Sequence, residues 1–337
     1  MIDDNKYEIG NKTFRSTIIL IVIAAVVYGL IKATIYSGYI NNYWQLILDQ
    51  SMIITIGALG LCIIYGFAGQ FSLGHAAFYG IGAYTAGVIG KVWGQGDPMW
   101  FLIAVIAGIA MAALMGFLIG VPILRLTSDY LGIATLGFGI IIKVGMDNSD
   151  KLFQPFGGAT GMTGVPTLVN FDIVFWAFIL TIILVRNFID SSYGRAIVTI
   201  RDNEIAADAM GINVARYKAM AFVLGCALAG FAGSLYAYRY PYVHPDTFNF
   251  MKSWDFLIIV VLGGLGSMSG TLVIGVCWVF LLEILRMVLG DTFVEWRGVI
   301  YALILIITIL VRPQGLFGGK EVRLLFPKIK IGRREEA

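Results

Sequence analysis

The sequence predicts an all-α, polytopic membrane protein with about ten transmembrane helices. Of its 337 residues, 58% are hydrophobic and 13% charged, a balance that does not suit a surface facing water. Apolar stretches of roughly 20 residues, the length a helix needs to cross a bilayer core, recur along almost the whole chain. They are continuous rather than alternating, which favours helices over a β-barrel, because in lipid the backbone has to satisfy its own hydrogen bonds. Little of the chain is left for a globular domain.

The first run, 16–36, follows Lys6, Lys12 and Arg15. It is long, and its Ile31-Lys32-Ala33-Thr34 exit lacks a small-x-small cleavage pattern, so it reads as a first span rather than a removable signal. Further runs follow at 44–66, 73–92, 99–124, 130–146, 171–189 and 215–238. The C-terminal third holds a short run at 254–266, then 271–289 and 299–311. The short run ends in Gly263-Gly264-Leu265-Gly266-Ser267-Met268-Ser269-Gly270, and it reads either as a short crossing or as part of a re-entrant segment.

Basic residues separate the two readings. With ten spans, 16 of the 24 Lys and Arg fall on the side of the termini and 8 on the other, so the positive-inside rule favours cytoplasmic termini. Nine spans strand one basic terminus outside. The organisation expected is a cytoplasmic N-terminal segment, 1–15; a transmembrane domain, 16–312, with a cytoplasmic loop at about 190–214; and a basic cytoplasmic tail, 313–337.

The net charge of +3 is small, and the basic residues collect in a few loops and the tail, which is a membrane topology signal and not a nucleic-acid footprint. Cys62, Cys226 and Cys277 fall inside apolar runs and read as packing residues, without a disulfide framework or thiolate metal site. His75 and His244 are the only histidines and lie far apart in sequence, so no metal site is expected. Gly makes up 41 residues, many within spans, where it permits close helix packing or a helix break around a cavity.

Three segments could carry function. The first, Gly66 to Phe78, joins the second and third spans almost without a polar loop and contains Gln70, Ser72 and His75. Irregular backbone at membrane depth is tolerated only where protein or a water-filled cavity satisfies it, so these residues are candidates for lining a path; alternatively His75 simply hydrogen-bonds a neighbour at a helix junction. The second is the junction carrying Gly263, Gly264, Gly266 and Gly270. It lacks the Lys-Ser/Thr ending of a phosphate-binding loop, and no G-x-x-x-x-G-K-S/T, G-x-S-x-G or H-E-x-x-H occurs in the chain, so neither ATP binding of that kind nor hydrolase chemistry is expected. Asp49, Lys143 and Asp147 lie near span ends, where snorkelling or interfacial hydration accounts for them; Glu283 and Arg286 can pair on one helix face. No chain of acids or histidines crosses the membrane, which places the energy source in another subunit.

The third segment is the loop from Arg186 to Lys218. Asp202 or Asn203 can cap a short helix from Glu204 to Met210, and Gly211 can end it in a left-handed conformation. A short surface helix between two spans is what a permease offers to a groove in a cytoplasmic motor, and it also serves as a plain connector.

Glu204-x-Ala206-Ala207-x-x-x-Gly211 resembles the E-A-A loop of permease subunits in ATP-binding-cassette importers, with Ile205 inserted beside the alanine pair. Together with Gly69-Gln70-Phe71-Ser72-Leu73-Gly74-His75, the Ser128 to Gly139 segment and Gly263-Gly264-Leu265-Gly266-Ser267, it resembles the branched-chain amino-acid permease family, over 44–315. The Asp129 to Gly139 segment and the N-terminal extension are more similar to the M-type than to the H-type permease. The resemblance implies a heterodimeric pore with an H-type permease, two cytoplasmic ATPase subunits that bind the ATP and Mg, and an extracytoplasmic substrate-binding protein. It further implies uptake of Leu, Ile or Val across a bacterial inner membrane. Arg201, Asp202, Asn203, Glu204, Ala206, Ala207 and Gly211 then form the ATPase-coupling loop, in a chain that binds no cofactor and is not itself an enzyme. The same architecture could carry urea, amides or other amino acids. A stand-alone secondary transporter calls for an intramembrane charge relay that the sequence lacks.

Overall fold

The computed structural model describes residues 2–123, 128–290, 292–312 and 314–318; the rest of the expected basic tail, and Arg125 among the expected inside charges, lie outside the described residues. Twelve α-helices follow in order: α1 Ile2–Tyr36, α2 Asn42–Leu61, α3 His75–Ile89, α4 Pro98–Ile123, α5 Ser128–Asp147, α6 Phe171–Asp190, α7 Ser192–Asp202, α8 Glu204–Ala209, α9 Val214–Arg239, α10 Phe250–Gly263, α11 Met268–Leu289 and α12 Thr292–Val311. Two short strands, β1 Met162–Thr163 and β2 Tyr242–Val243, pair antiparallel and tie the loop after α5 to the loop after α9. Seven helical segments are long and apolar enough to cross a membrane, which makes this a multi-pass membrane protein. The other expected spans are built from shorter apolar helices: 15 residues in α3, 14 in α10, and Gly298–Val311 within α12.

Those short helices are possible because protein surrounds them. Most of α3 is buried, with α9, α4 and α5 packed around it, and α9 also packs on α2. Between helices in lipid there is no hydrophobic driving force, so close contact carries the packing. Small residues permit it here: a side chain at Gly230 in α9 would collide with Ala112 and the Gly108 carbonyl of α4. Ser234, one turn on, bonds the Gly230 carbonyl at 2.8 Å and the Gly82 carbonyl of α3 at 3.3 Å.

The helices outside the α7–α8 loop run alternately between two faces. The end of α1 and the start of α6 meet on the hairpin face, where Lys32 Nζ lies 2.6 Å from Asp172. Val169, just before α6, donates to the carbonyl of Tyr238 at the end of α9, and Asp246 after the hairpin reaches Lys143 near the end of α5. On the opposite face, α6 leads into α7, and the Leu316 amide donates to the Leu262 carbonyl near the end of α10. The segment from Tyr240 to Gly263 thus runs back from the hairpin face to the α7–α8 face, with β2 and a 3-10 turn, Pro245–Phe248, ahead of α10.

Two expectations about single residues change. Asp49 is not a hydrated span end: it is fully buried and paired with Arg239 at 2.6 Å, because α9 packs over that side of α2. Cys62 and Cys226 are buried as expected, but Cys277 is exposed on α11.

Candidate coupling site

The loop between α6 and α9 folds by local rules. Ser191 caps α7 by accepting from the Gly194 amide, and the amphipathic α7 buries Ile197 and Ile200. At Asn203 the backbone turns extended, φ −157°, which ends α7; its side chain then accepts from the Ala206 amide at 3.0 Å and starts α8. Of the two caps expected, Asn203 takes the position. Gly211, at φ +81°, supplies the left-handed turn out of α8, and Asn213 caps α9. Among the helical residues of α8 only Ala207 is buried; Ile205 is 84% exposed, and Met210 beyond the helix 82%. A groove of about 1110 Å³ opens beside α8, lined by Glu204, Asp208, Ile212 and Lys218 among others.

Polar contacts tie this surface helix to the interior. Lys218 Nζ donates to Glu204 Oε2 at 2.6 Å, and the Lys218 carbonyl accepts from Gln70 Nε2 at 3.0 Å. Arg201 Nε and Nη2 pair with Asp202, while its Nη1 donates to the Gly66 carbonyl at 2.9 Å. Gly66 lies in the π-helical turn Cys62–Phe67 that ends α2 and precedes the irregular stretch before α3. A side chain at Gly266, φ +80°, would come within 2.6 Å of Arg201 Nη1, so glycine there answers both the backbone angle and the guanidinium. The junction of Gly263, Gly264, Gly266 and Gly270 is the tight turn between α10 and α11, closed by Ser267 accepting from the Gly270 amide at 3.1 Å. Arg201 therefore sits between both interior helix breaks, and three segments far apart in sequence form one constellation.

Gln70, Ser72 and His75 are all buried, at 3%, 0% and 0% exposure. His75 Nε2 lies 2.9 Å from the Gly57 carbonyl, and its ring stands edge-on to Phe256. Gln70 Oε1, Ser72 Oγ and His75 Nδ1 have no hydrogen-bond partner among the described residues. The irregular backbone around them is satisfied by neighbouring helices: the Leu73 amide donates to Thr135 Oγ1 at 3.1 Å and the Ala76 amide to Ser253 Oγ at 3.1 Å. A separate cavity of about 140 Å³ lies beside this stretch, bordered by Leu73, Ala76 and Ala77 and not by the three polar candidates.

Sequence reasoning passed over Asp255 and the second partner of Lys143. Asp255 is buried in α10 and binds Lys252 at 3.2 Å, Trp278 Nε1 at 3.3 Å and the Tyr301 hydroxyl at 2.5 Å, fastening α10 to α11 and α12. An acid between Trp254 and the apolar Phe256 to Leu262 was the available signal. Lys143 contacts both Asp147 at 2.7 Å and Asp246 at 3.1 Å, and only the first partner was legible as an i,i+4 pair. Among the described residues no group of three or more His, Cys, Asp or Glu could hold a metal ion.

A family model described as branched-chain amino acid transport system / permease component matches residues 43–309. The chain is 34% identical over 300 residues to the high-affinity branched-chain amino acid transport system permease protein LivM of Escherichia coli (strain K12), an alignment covering 79% of this chain and 68% of that protein. It is 33% identical over 321 residues to LivM of Salmonella typhimurium, covering 85% and 72%. To LivH of Escherichia coli (strain K12) it is 27% identical over 289 residues, covering 79% and 91%. No solved structure matches.

Proposed function

We propose that this chain, which belongs to the branched-chain amino acid transport system permease component family, forms half of the membrane pathway of an ATP-binding-cassette importer for Leu, Ile and Val. The other half is a second, H-type permease; two ATPase subunits dock on the cytoplasmic face, and a substrate-binding protein delivers from outside. The chain lies in the bacterial inner membrane with both termini in the cytoplasm, and ATP and Mg belong to the ATPases.

The observation that carries the coupling role is the tie from α8, through Arg201 and Lys218, to the breaks at Gly66–Gln70 and Gly266. A surface helix joined only to its own loop would swing without consequence. Here a pull on α8 by closing ATPases is passed to the places where α2 and α10 end, the points at which packed helices can shift between two arrangements. Exposed Ile205 and Met210 supply an apolar contact for a groove in the ATPase, and Glu204 the polar one.

Glu204→Arg tests this most directly, since it sets two cations together where Lys218 is now paired. In proteoliposomes, with the binding protein present, Glu204→Arg combined with Gly211→Val should lower amino acid uptake by about tenfold or more and abolish stimulation of ATP hydrolysis by loaded binding protein. Insertion into the membrane should be unchanged. Wild-type uptake and wild-type stimulation in that variant remove the docking assignment.

A further inference from the structure

The cavity of about 140 Å³ beside the irregular stretch lies among α3, α5 and the start of α10. Leu73, Ala77, Leu136 and Ile140 give it an apolar wall, while Lys143 and Ser253 add polar groups. Cavities of roughly 150 Å³ admit a benzene-sized molecule, so an aliphatic side chain of four carbons fits. It lies where a helix begins inside the protein: Ser253, in the first turn of α10, accepts from the Ala76 amide of α3. Interrupted helices are where membrane transporters commonly build their substrate sites.

The charges are unusual for a merely structural pair. One ammonium, Lys143 Nζ, faces two carboxylates, Asp147 at 2.7 Å and Asp246 at 3.1 Å. Asp147 holds the lysine from the next turn of its own helix and is 26% exposed, whereas Asp246 reaches it from another segment and is 64% exposed. A zwitterion brings one charge of each sign. Its carboxylate can replace Asp246 on Lys143 while its ammonium takes Asp246, so that every charge keeps a partner. An uncharged solute has nothing to offer to either side of that exchange.

We propose that this cavity is a subsite for a small zwitterion with an aliphatic side chain, the side chain lying against Leu136 and Ile140 and the two charged groups held by Lys143 and Asp246. The proposal rests on the amino acid permease reading and gives it a substrate contact.

The test uses the assembled transporter in proteoliposomes, with saturating binding protein outside and ATP available to the ATPases. Lys143→Met should cut leucine uptake by about tenfold or more while loaded binding protein still stimulates hydrolysis, and Lys143→Arg should restore uptake. At Gly139, which borders the cavity, an added Cβ meets only the Gly74 Cα at 3.6 Å, so a longer side chain can grow inward. Gly139→Leu should therefore lower leucine uptake relative to alanine by about tenfold. Leucine uptake by Lys143→Met equal to wild type, or an unchanged leucine-to-alanine ratio in Gly139→Leu, overturns the subsite. Should Gly139→Leu fail to insert, Leu136→Ala, which enlarges the cavity, has to raise phenylalanine uptake relative to leucine; an unchanged ratio there also overturns it. A wild-type transporter that moves no amino acid strikes the functional reading itself, whereas amino acid uptake indifferent to these substitutions strikes the subsite alone.

Discussion

Arg201 illustrates what single residues do in this protein. Its guanidinium spans Asp202 and the Gly66 carbonyl, and a lysine's single ammonium cannot reproduce that fork. Arg201→Lys should therefore behave like Arg201→Ala in uptake, with basal ATP hydrolysis intact; full uptake by the lysine variant would mean that charge alone suffices. Asp49 and Arg239 work differently, as a clamp between α2 and α9. Removing Arg239 leaves the fully buried Asp49 uncompensated, so Arg239→Met should destabilise the chain by ~3–5 kcal/mol in detergent unfolding. Asp49→Leu with Arg239→Met should recover most of that, and equal loss in the double variant would assign the damage to packing. The residues of α8 were legible beforehand because caps and left-handed glycines act within a few positions of themselves. Their partners were not: Arg201 meets a backbone carbonyl 135 positions away, a contact that only the fold creates and that no side-chain pattern announces.

At the scale of elements, hydropathy reads helices well where lipid is the neighbour and poorly where protein is. The runs at 99–124, 130–146 and 171–189 fall within one or two residues of α4, α5 and α6, whereas α1 begins at Ile2 and α12 at Thr292, well before the expected 16 and 299. The run at 73–92 was legible but α3 is shorter, His75–Ile89, and only α10 was left open; a helix wrapped by other helices can stop inside the membrane when Thr135 and Ser253 satisfy the adjoining amides. Glycine has no single meaning across these elements either. Gly230 faces Ala112 and the Gly108 carbonyl, so Gly230→Val should cost ~1–3 kcal/mol or more by overpacking the α4–α9 contact. At Gly137 on α5 an added Cβ meets nothing within 4 Å, so Gly137→Ala in the isolated chain should be neutral or stabilising by up to ~1 kcal/mol. Unfolding midpoints in detergent separate the two, and a matching loss at both positions would show that helix propensity, not contact, sets the effect.

The whole molecule has a direction, and it follows from the ends of its helices. The α1 end, the α6 start, the α9 end and the hairpin gather on one face, while Arg201, the α10–α11 turn and Leu316 gather on the other. Counting α10 with the stretch from Tyr240 before it as a passage would give ten and bring the chain after α12 to the face of α8, the arrangement that charge placement predicts for the termini. Single cysteines in a chain whose Cys62, Cys226 and Cys277 are replaced report which face each loop lies on. Leu152→Cys, 87% exposed beyond α5, should react with an impermeant maleimide in right-side-out vesicles, and Ile205→Cys on α8 only in inverted ones. Gln314→Cys, past the end of α12, carries the decision. An even number of passages requires it to label with Ile205→Cys, whereas labelling with Leu152→Cys would make the α10 segment re-entrant, sever the route from α8 to the glycine turn, and leave the coupling proposal without its second junction.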